Sequence, residues 1–508
     1  MAAWRPFVLV LLPFAAGYYL SYVFRTINAL IAGTLMSELG LDPADLGLLT
    51  SVYFLAMAAV QIPLGILLDR YGPRRVQSAL LLTAAVGAGV FACATGLAGL
   101  MFGRALIGLG FAAALMASLK AIVLWFPKER ILFANGCVVM LGALGAVTAT
   151  LPAEPLVTAL GWRGLFTLLA TATALAAATT FLVVPEPTRR ATAPPLARVR
   201  LRDIYLDMRF LRLAPLSTLC IGTAWSLQGL WAAPWLEHVE SLDRIAVVRH
   251  LLIMGLALSA GAIVLGWSAD CLRRRGVSRE AYYAVVAFLF IGAQMTLVLR
   301  LPVPSFLPWV IIAAAGAATV LSFALLADYF PREMTGRANA ALNILHLSGA
   351  FALQYLTGLI VSCWPAVAGH PPPEAYQTAL ALSVVVQLVA LLWFLGSAPL
   401  ATVPRYSTTR CSVTWQQCET RKYADAGLAI AQHVARVRAQ AAHWRLIGIG
   451  SATLCAVLAT LTVINAHSSA IVHVVETGTF VTAHADRHAG EAKPQIVSIA
   501  RAQGRDTP

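Results

Sequence analysis

Residues 65–75 read GILLDRYGPRR, a short polar segment carrying Asp69, Arg70, Arg74 and Arg75 between apolar runs at 46–68 and 76–96. Each run is close to the length of about 20 residues that a helix needs to cross bilayer hydrocarbon. Gly72 permits a tight turn between them, so the segment reads as a basic hairpin joining two membrane spans. Outward from this hairpin the alternation continues, with apolar runs near 7–33, 98–126, 131–157 and 162–184. After a polar stretch at 185–210 it resumes near 211–236, 251–271, 281–300, 306–328, 337–362 and 375–397.

Composition points to the same solvent. The 508 residues are 59% hydrophobic and 12% charged, with a mean hydropathy of +0.76, far from soluble averages. The net charge of +14 does not indicate nucleic acid, because the basic residues lie in short clusters between spans without an aromatic-basic module. Eight cysteines show no framework spacing. No nucleophile–base set, metal-ligand cluster or phosphate loop stands in the sequence, so neither an enzyme nor a cofactor nor a metal is expected.

Orientation follows from the loops, since the cytoplasmic side carries the Lys and Arg excess. With the N-terminus inside, nineteen such residues fall in inner loops and only Arg163, Arg244, Arg249 and Arg300 in outer ones. Internal repetition divides the spans. WFPKE at 125–129 recurs as YFPRE at 329–333, Ala134-Asn135 as Ala338-Asn339, and Gly145-Ala146 as Gly349-Ala350, all at an offset of 204. Asp69 has a counterpart in Asp270. Two related halves are a common plan for transporters that rock about a central site.

GILLDRYGPRR resembles the loop signature of the major facilitator superfamily, and GWSADCLRRRG at 266–276 is similar to its degenerate second copy. The resemblance implies an all-α membrane protein of the major facilitator fold, with twelve transmembrane helices in two six-helix halves; the apolar run at 446–466 adds one C-terminal transmembrane helix. The resemblance also implies gating roles for Gly65, Asp69, Arg70, Gly72 and Arg74, with Asp270 and Arg274 in the second copy. There the loop latches the cytoplasmic side shut; a plain topology-setting basic loop is the alternative reading. Gly65 would allow close helix approach. GRALIGLG at 103–110 resembles the fourth-helix signature, with Arg104 grouped among the gating residues and Gly108 and Gly110 allowing close packing. An arginine snorkelling to the outer surface is the other reading of Arg104. The Gly-Pro pair of drug exporters is missing from LGALGAVTATLP at 141–152.

The first span is the most informative. Tyr18, Ser21, Arg25 and Asn28 fall at three- and four-residue spacing and share one face. A charged arginine inside a span costs at least a few kcal/mol unless it meets a partner, water or substrate. YYLSYVFRTINAL at 18–30, followed by ELGLDPADLG, resembles the start of the organophosphate:phosphate exchangers, which implies that Arg25 grips an anionic group. Their second arginine, on the seventh span, has no match in WSLQGLWAAPWL at 225–236, where Gln228 or Ser226 stands instead. One central arginine suits a monoanion, unless Lys120 adds charge. Trp225 and Gln228 share a face of the seventh span, and Asn343, His346 and Gln354 one side of the eleventh. Each stripe can also serve packing alone. No Asp or Glu lies near the middle of a span, which leaves exchange, facilitated movement or a His346-linked proton step.

The expected organisation is an N-terminal bundle at 1–184, a cytoplasmic loop at 185–210 and a C-terminal bundle at 211–400. A basic cytoplasmic segment at 401–445, a thirteenth span at 446–466 and a periplasmic tail without regular structure at 467–508 follow. The stretch from Tyr423 through HVARVRAQAAHWRLIGIG to IVHVVETG at 471–478 is similar to the N-terminal anchor of conjugal-transfer, type IV secretion inner-membrane scaffold subunits, so the tail reads as a truncated fusion or an appended anchor with an unknown partner. The expected function is secondary transport of a small organic or inorganic anion by alternating access, in a bacterial-type inner membrane with the C-terminus outside. A non-transporting sensor of the same fold, or a membrane scaffold recruited through the tail, are the alternatives.

Overall fold

Short polar side chains start several of the helices. Asp42 accepts the backbone N–H of Asp45 at 2.7 Å in a capping box, Asp207 accepts that of Arg209 at 2.9 Å, and Asp243 that of Ala246 at 3.0 Å. Ser278 accepts that of Ala281 at 3.1 Å. Each satisfies an N–H that the first turn leaves without a partner. The computed structural model describes residues 7–185, 201–365, 371–396, 474–476 and 479–481. It divides into two compact units, Met1–Arg410 and Cys411–Pro508.

In the first unit a π turn at Phe7–Leu11 leads into α1 (Leu12–Thr26), followed by α2 (Asn28–Leu39), α3 (Pro43–Cys93), α4 (Leu97–Phe111), α5 (Ala114–Trp125), α6 (Lys128–Thr148) and α7 (Glu154–Val183). Then come α8 (Leu201–Tyr205), α9 (Met208–Ser226), α10 (Ala232–Pro234) between π turns at Leu227–Trp231 and Trp235–Val239, and α11 (Arg244–Arg274). The set closes with α12 (Arg279–Val298), α13 (Phe306–Gly316), α14 (Thr319–Tyr329), α15 (Arg332–Ser362) and α16 (Pro373–Gly396). In the second unit β1 (Val474–Glu476) pairs antiparallel with β2 (Thr479–Val481). The segment at 401–445, the thirteenth span at 446–466, most of the tail and most of the loop at 185–210 lie outside the described residues.

Ten helical stretches among the described residues are long and apolar enough to cross a membrane. One of them, α3, holds 51 residues; at 1.5 Å per residue its length of about 75 Å is more than twice the hydrocarbon thickness. Its ladder is broken at Gly72, with φ 79°, a left-handed conformation that glycine adopts without strain. The surface and interior are inverted relative to a water-soluble protein. Ile66, Trp267, Phe288 and Leu182 are more than half exposed, while Arg104, Gln294, His346 and Gln387 are fully buried. Lipid removes the cost of the apolar exterior and makes bonded polar groups inside worthwhile.

The helix bounds differ from expectation where the backbone breaks. The run at 7–33 is interrupted at Ile27, between α1 and α2. The run at 131–157 stops at Thr148, because Pro152 and Pro155 remove donors from the ladder and start a new helix. The runs at 98–126 and 306–328 each contain a break, at Ala112–Ala113 and at Ala317–Ala318. These two breaks stand 205 residues apart, close to the offset of the sequence repeat. A second correspondence lies at the repeated glycines. Gly145 on α6 packs against the Tyr19 carbonyl of α1, and Gly349 on α15 against Thr218 of α9, so the same close approach occurs twice.

Candidate substrate site

The breaks matter because both face one cavity. Phe111, Ala112 and Ala114 line it from one side and Gly316, Ala317 and Thr319 from the other, around a volume of about 490 Å³. From α1 come Tyr18, Ser21, Tyr22 and Arg25, from α3 Met57 and Gln61, from α9 Trp225, and from α15 Asn339 and Asn343. Apart from Arg25 and the two tyrosine phenols, no lining side chain among the described residues is ionisable.

Arg25 dominates the electrostatics. Its guanidinium carbon lies 4.6 Å from the Trp225 ring centre, 4.8 Å from that of Tyr22 and 5.6 Å from that of Phe54. Trp225 and Phe54 are themselves parallel, 6.0 Å apart with planes 9° from one another. Among the described residues no carboxylate lies within ion-pair distance of Arg25, and its Nε has no hydrogen-bond partner. Ring faces attract a cation by about 0.5–2 kcal/mol, less than the several kcal/mol that removal from water costs an ion. The site therefore holds positive charge that an anion entering the cavity would neutralise.

The cavity collects Tyr18, Ser21, Arg25, Trp225 and Asn343 of the residues expected to bind substrate. The other five are elsewhere. Asn28 is turned away: its Nδ2 donates to the Arg25 carbonyl at 3.2 Å and its Oδ1 accepts from Arg104. Lys120 is committed to the basic hairpin, donating to Asp69 at 2.6 Å and to the Leu68 carbonyl at 2.7 Å. His346 sits behind Trp225, with Nε2 2.8 Å from the Ser217 hydroxyl and its ring edge-on to the indole at 6.2 Å. Gln228 and Gln354 are buried beside the wall, the first with Nε2 and the second with Oε1 unpartnered.

Of the residues expected to act in gating, Gly72 makes the turn, Asp69 holds Lys120, and Arg74 donates from Nε to the Phe181 carbonyl at 2.8 Å. Arg70 lies over the Tyr71 ring, and Asp270 and Arg274 are exposed at the end of α11. Gly65 makes no close approach, since a Cβ there would meet nothing within 4 Å; its face is open to the surroundings. Gly108 and Gly110 do pack tightly, a Cβ on Gly110 falling 2.5 Å from the Ala84 nitrogen. Arg104 does not reach the surface; fully buried, it donates to the Phe24 carbonyl at 3.1 Å and to Asn28, where α1 gives way to α2.

Tyr22, Phe54 and Gln61 were not singled out from sequence. Tyr22 stands three residues before Arg25, a helical neighbour that spacing could have marked. Phe54 carried no such signal.

One end of the cavity is closed. The Trp231 indole donates to the Gln354 carbonyl at 3.0 Å, the Ala44 nitrogen to the Ser362 hydroxyl at 2.9 Å, and Arg244 to Glu154 at 2.9 Å and to the Leu30 carbonyl at 2.8 Å. The Ala44 and Arg244 bonds join the two halves of the repeat, whereas the Trp231 bond lies within the second half. The opposite wall runs through Gln61, Leu119 and Gly336 toward the end that carries the basic hairpins.

Residues 14–353 match the Major Facilitator Superfamily. The chain is 27% identical over 310 residues, 56% of its length and 69% of the relative, to the "Probable sulfoacetate transporter SauU" of Cupriavidus necator. To the "Probable L-galactonate transporter" of Escherichia coli it is 25% identical, with 57% and 67% covered. In structure it resembles a bacterial homologue of the human lysosomal transporter Spinster in an inward-facing, occupied conformation, with a TM-score of 0.65 at 18% identity over 80% of this chain and 99% of that one. With two thirds of its length matched, a duplicated helical plan and a cavity lined from both halves, the chain belongs to the Major Facilitator Superfamily.

Proposed function

We propose that this protein is a secondary transporter that moves a small monoanion by alternating access, with Arg25 as the anchor for the anion. The observation that carries this reading is the Arg25 guanidinium, clad by three aromatic rings at the cavity wall and facing no carboxylate among the described residues. The relatives named for sulfoacetate, L-galactonate and hexuronate are named for anions, which supports the sign of the cargo. A single guanidinium binds a carboxylate or sulfonate in bidentate fashion without excess charge. Tyr18, Ser21 and Asn343 supply the neutral hydrogen-bonding groups around it.

In this reading the described helices form twelve spans, with α3 counted as two across Gly72 and α6 as the fifth, and 446–466 is a thirteenth. The basic hairpins lie in the cytoplasm of a bacterial-type cell, with the C-terminal tail outside. The conformation is then inward-open: the cavity faces the basic hairpins, and the Trp231, Ala44 and Arg244 contacts seal the outer side. Asp69 rests on Lys120 of its own half in this state, which leaves the hairpin latch released.

Purified full-length protein in proteoliposomes, offered radiolabelled carboxylates, sulfonates, phosphate esters and neutral sugars, tests the assignment. Saturable flux of a carboxylate or sulfonate is the expected result. Flux of neutral sugars alone would sink it.

A further inference from the structure

Away from the cavity, one cluster of ionisable side chains is bonded in a pattern that fixes its proton content. Glu240, just past the π turn Trp235–Val239, accepts the indole N–H of Trp235 and of Trp309 on Oε1, both at 3.1 Å, and the Ser305 hydroxyl on Oε2. Ser305 Oγ also lies 3.1 Å from His250 Nε2, and His250 Nδ1 lies 2.8 Å from the Ala246 carbonyl oxygen. Three separate segments meet here: the end of the π turn, the second turn of α11 and the residue that precedes α13. His250, Trp235 and Trp309 are buried. None of the cluster lines the substrate cavity.

Donor and acceptor counting fixes the number of protons. A carbonyl oxygen only accepts, so the proton at the Ala246 contact belongs to Nδ1. The serine hydroxyl has one proton and lies between Glu240 Oε2 and His250 Nε2, which both only accept unless one of them is protonated. The cluster therefore holds one further proton, on Nε2 with the hydroxyl donating to Glu240, or on Oε2 with the hydroxyl donating to Nε2. Loss of that proton would set the Nε2 lone pair against the serine oxygen. Turning the hydroxyl toward Nε2 would instead leave Glu240 Oε2 against that oxygen. Either way a bond is replaced by two facing acceptors.

We propose that His250, Ser305 and Glu240 form a proton-binding site, in which the further proton, held on the His250 imidazolium, fastens α11 and the start of α13 to the end of the α9–α10 segment. The same segment carries Trp231, whose bond to the Gln354 carbonyl helps close this end of the cavity. Proton occupancy thus reaches the closed end through one short stretch of chain. The proposal is independent of what the cavity carries.

Other ionisable groups at this end have different engagements. His238 stacks on Tyr376 of α16 at 5.7 Å, Asp243 caps α11 at Ala246, and Arg244 pairs with Glu154. Glu237, Arg249 and Arg300 are exposed.

Nitrogen NMR of the full-length protein in nanodiscs, with histidine and tryptophan labelled and the pH raised from about 5 to about 9, tests the site. Expected for the wild type is that His250 loses its Nε2 proton and keeps Nδ1–H, while the Trp235 and Trp309 indole signals move with the same midpoint. In S305A the indole signals should no longer follow His250. Indole signals that stay still while His250 titrates in the wild type, or loss of the Nδ1 proton first, would overturn the proposal; so would unchanged coupling in S305A. Should S305A fail to fold, the wild-type titration alone decides.

Discussion

The guanidinium of Arg25 on α1 lies 4.6 Å from the ring centre of Trp225 on α9. The two residues belong to helices that the sequence repeat places at equivalent positions, so the cation of one half rests on the aromatic face of the other. That contact can persist only while α1 and α9 stay close. An anion that binds Arg25 from the cavity therefore acts on the pair of helices rather than on one of them.

Replacing Trp225 with leucine keeps the apolar packing against Phe54 but removes the ring face under the cation. A cation–π contact of about 0.5–2 kcal/mol corresponds to a loss of about 2- to 30-fold in anion affinity. Titration calorimetry on the purified variant checks this, with a near-normal melting temperature as the expected companion result.

Lys120 is bonded to Asp69 and the Leu68 carbonyl rather than to the cavity. K120A should leave the anion Kd within about twofold, because a charge held by another partner and outside the cavity adds little to binding. The partly exposed pair adds at most about 1 kcal/mol to stability. A tenfold rise in Kd in K120A would place Lys120 back in the substrate site.

At Gly110 a Cβ would press on the Ala84 backbone nitrogen at 2.5 Å, whereas one at Gly136 on α6 meets nothing within 4 Å. Gly110→Ala should cost about 1–3 kcal/mol through overpacking against unyielding backbone. Gly136→Ala should be neutral or stabilise by up to about 1 kcal/mol, since alanine restricts the unfolded chain. Melting temperatures of the two variants in the same detergent compare them directly.

Glu38, at the end of α2, accepts hydrogen bonds from Arg163 and from the Trp162 indole, and these hold its carboxyl below the ordinary glutamate range. A carboxylate favoured in the folded state stabilises above its unfolded pKa of about 4.3 and loses that contribution as pH falls through the lower folded value. The melting-temperature gap between wild type and E38Q should be constant near neutrality and shrink below about pH 4.3. A gap that widens with acidification would contradict the assignment.

Membrane residence was legible because charge and hydropathy are set residue by residue along the chain. The basic hairpin at Gly72 and the cation in the first span could be read directly. The breaks at Ala112 and Ala317 could not: both lie in uniformly small, apolar sequence with no proline to mark them, and only packing around the cavity reveals them. The bond from Lys120 to Asp69 joins residues 51 positions apart, beyond any local pattern. Spacing put Asn28 on the face of Arg25, but the break at Ile27 rotates the following residues, and Asn28 turns to Arg104 instead. The Glu240 cluster was missed for a similar reason, since its members come from three segments and none sits mid-span.

Anion uptake by Arg25→Gln in proteoliposomes, beside the wild type and Arg25→Lys, addresses the central claim most directly. A charge-assisted bidentate bond of about 1.5–3 kcal/mol predicts a loss of about 10- to 150-fold in affinity for the glutamine variant, with partial recovery for lysine. Anion uptake by the glutamine variant within twofold of the wild type would show that the cavity binds its cargo without this cation.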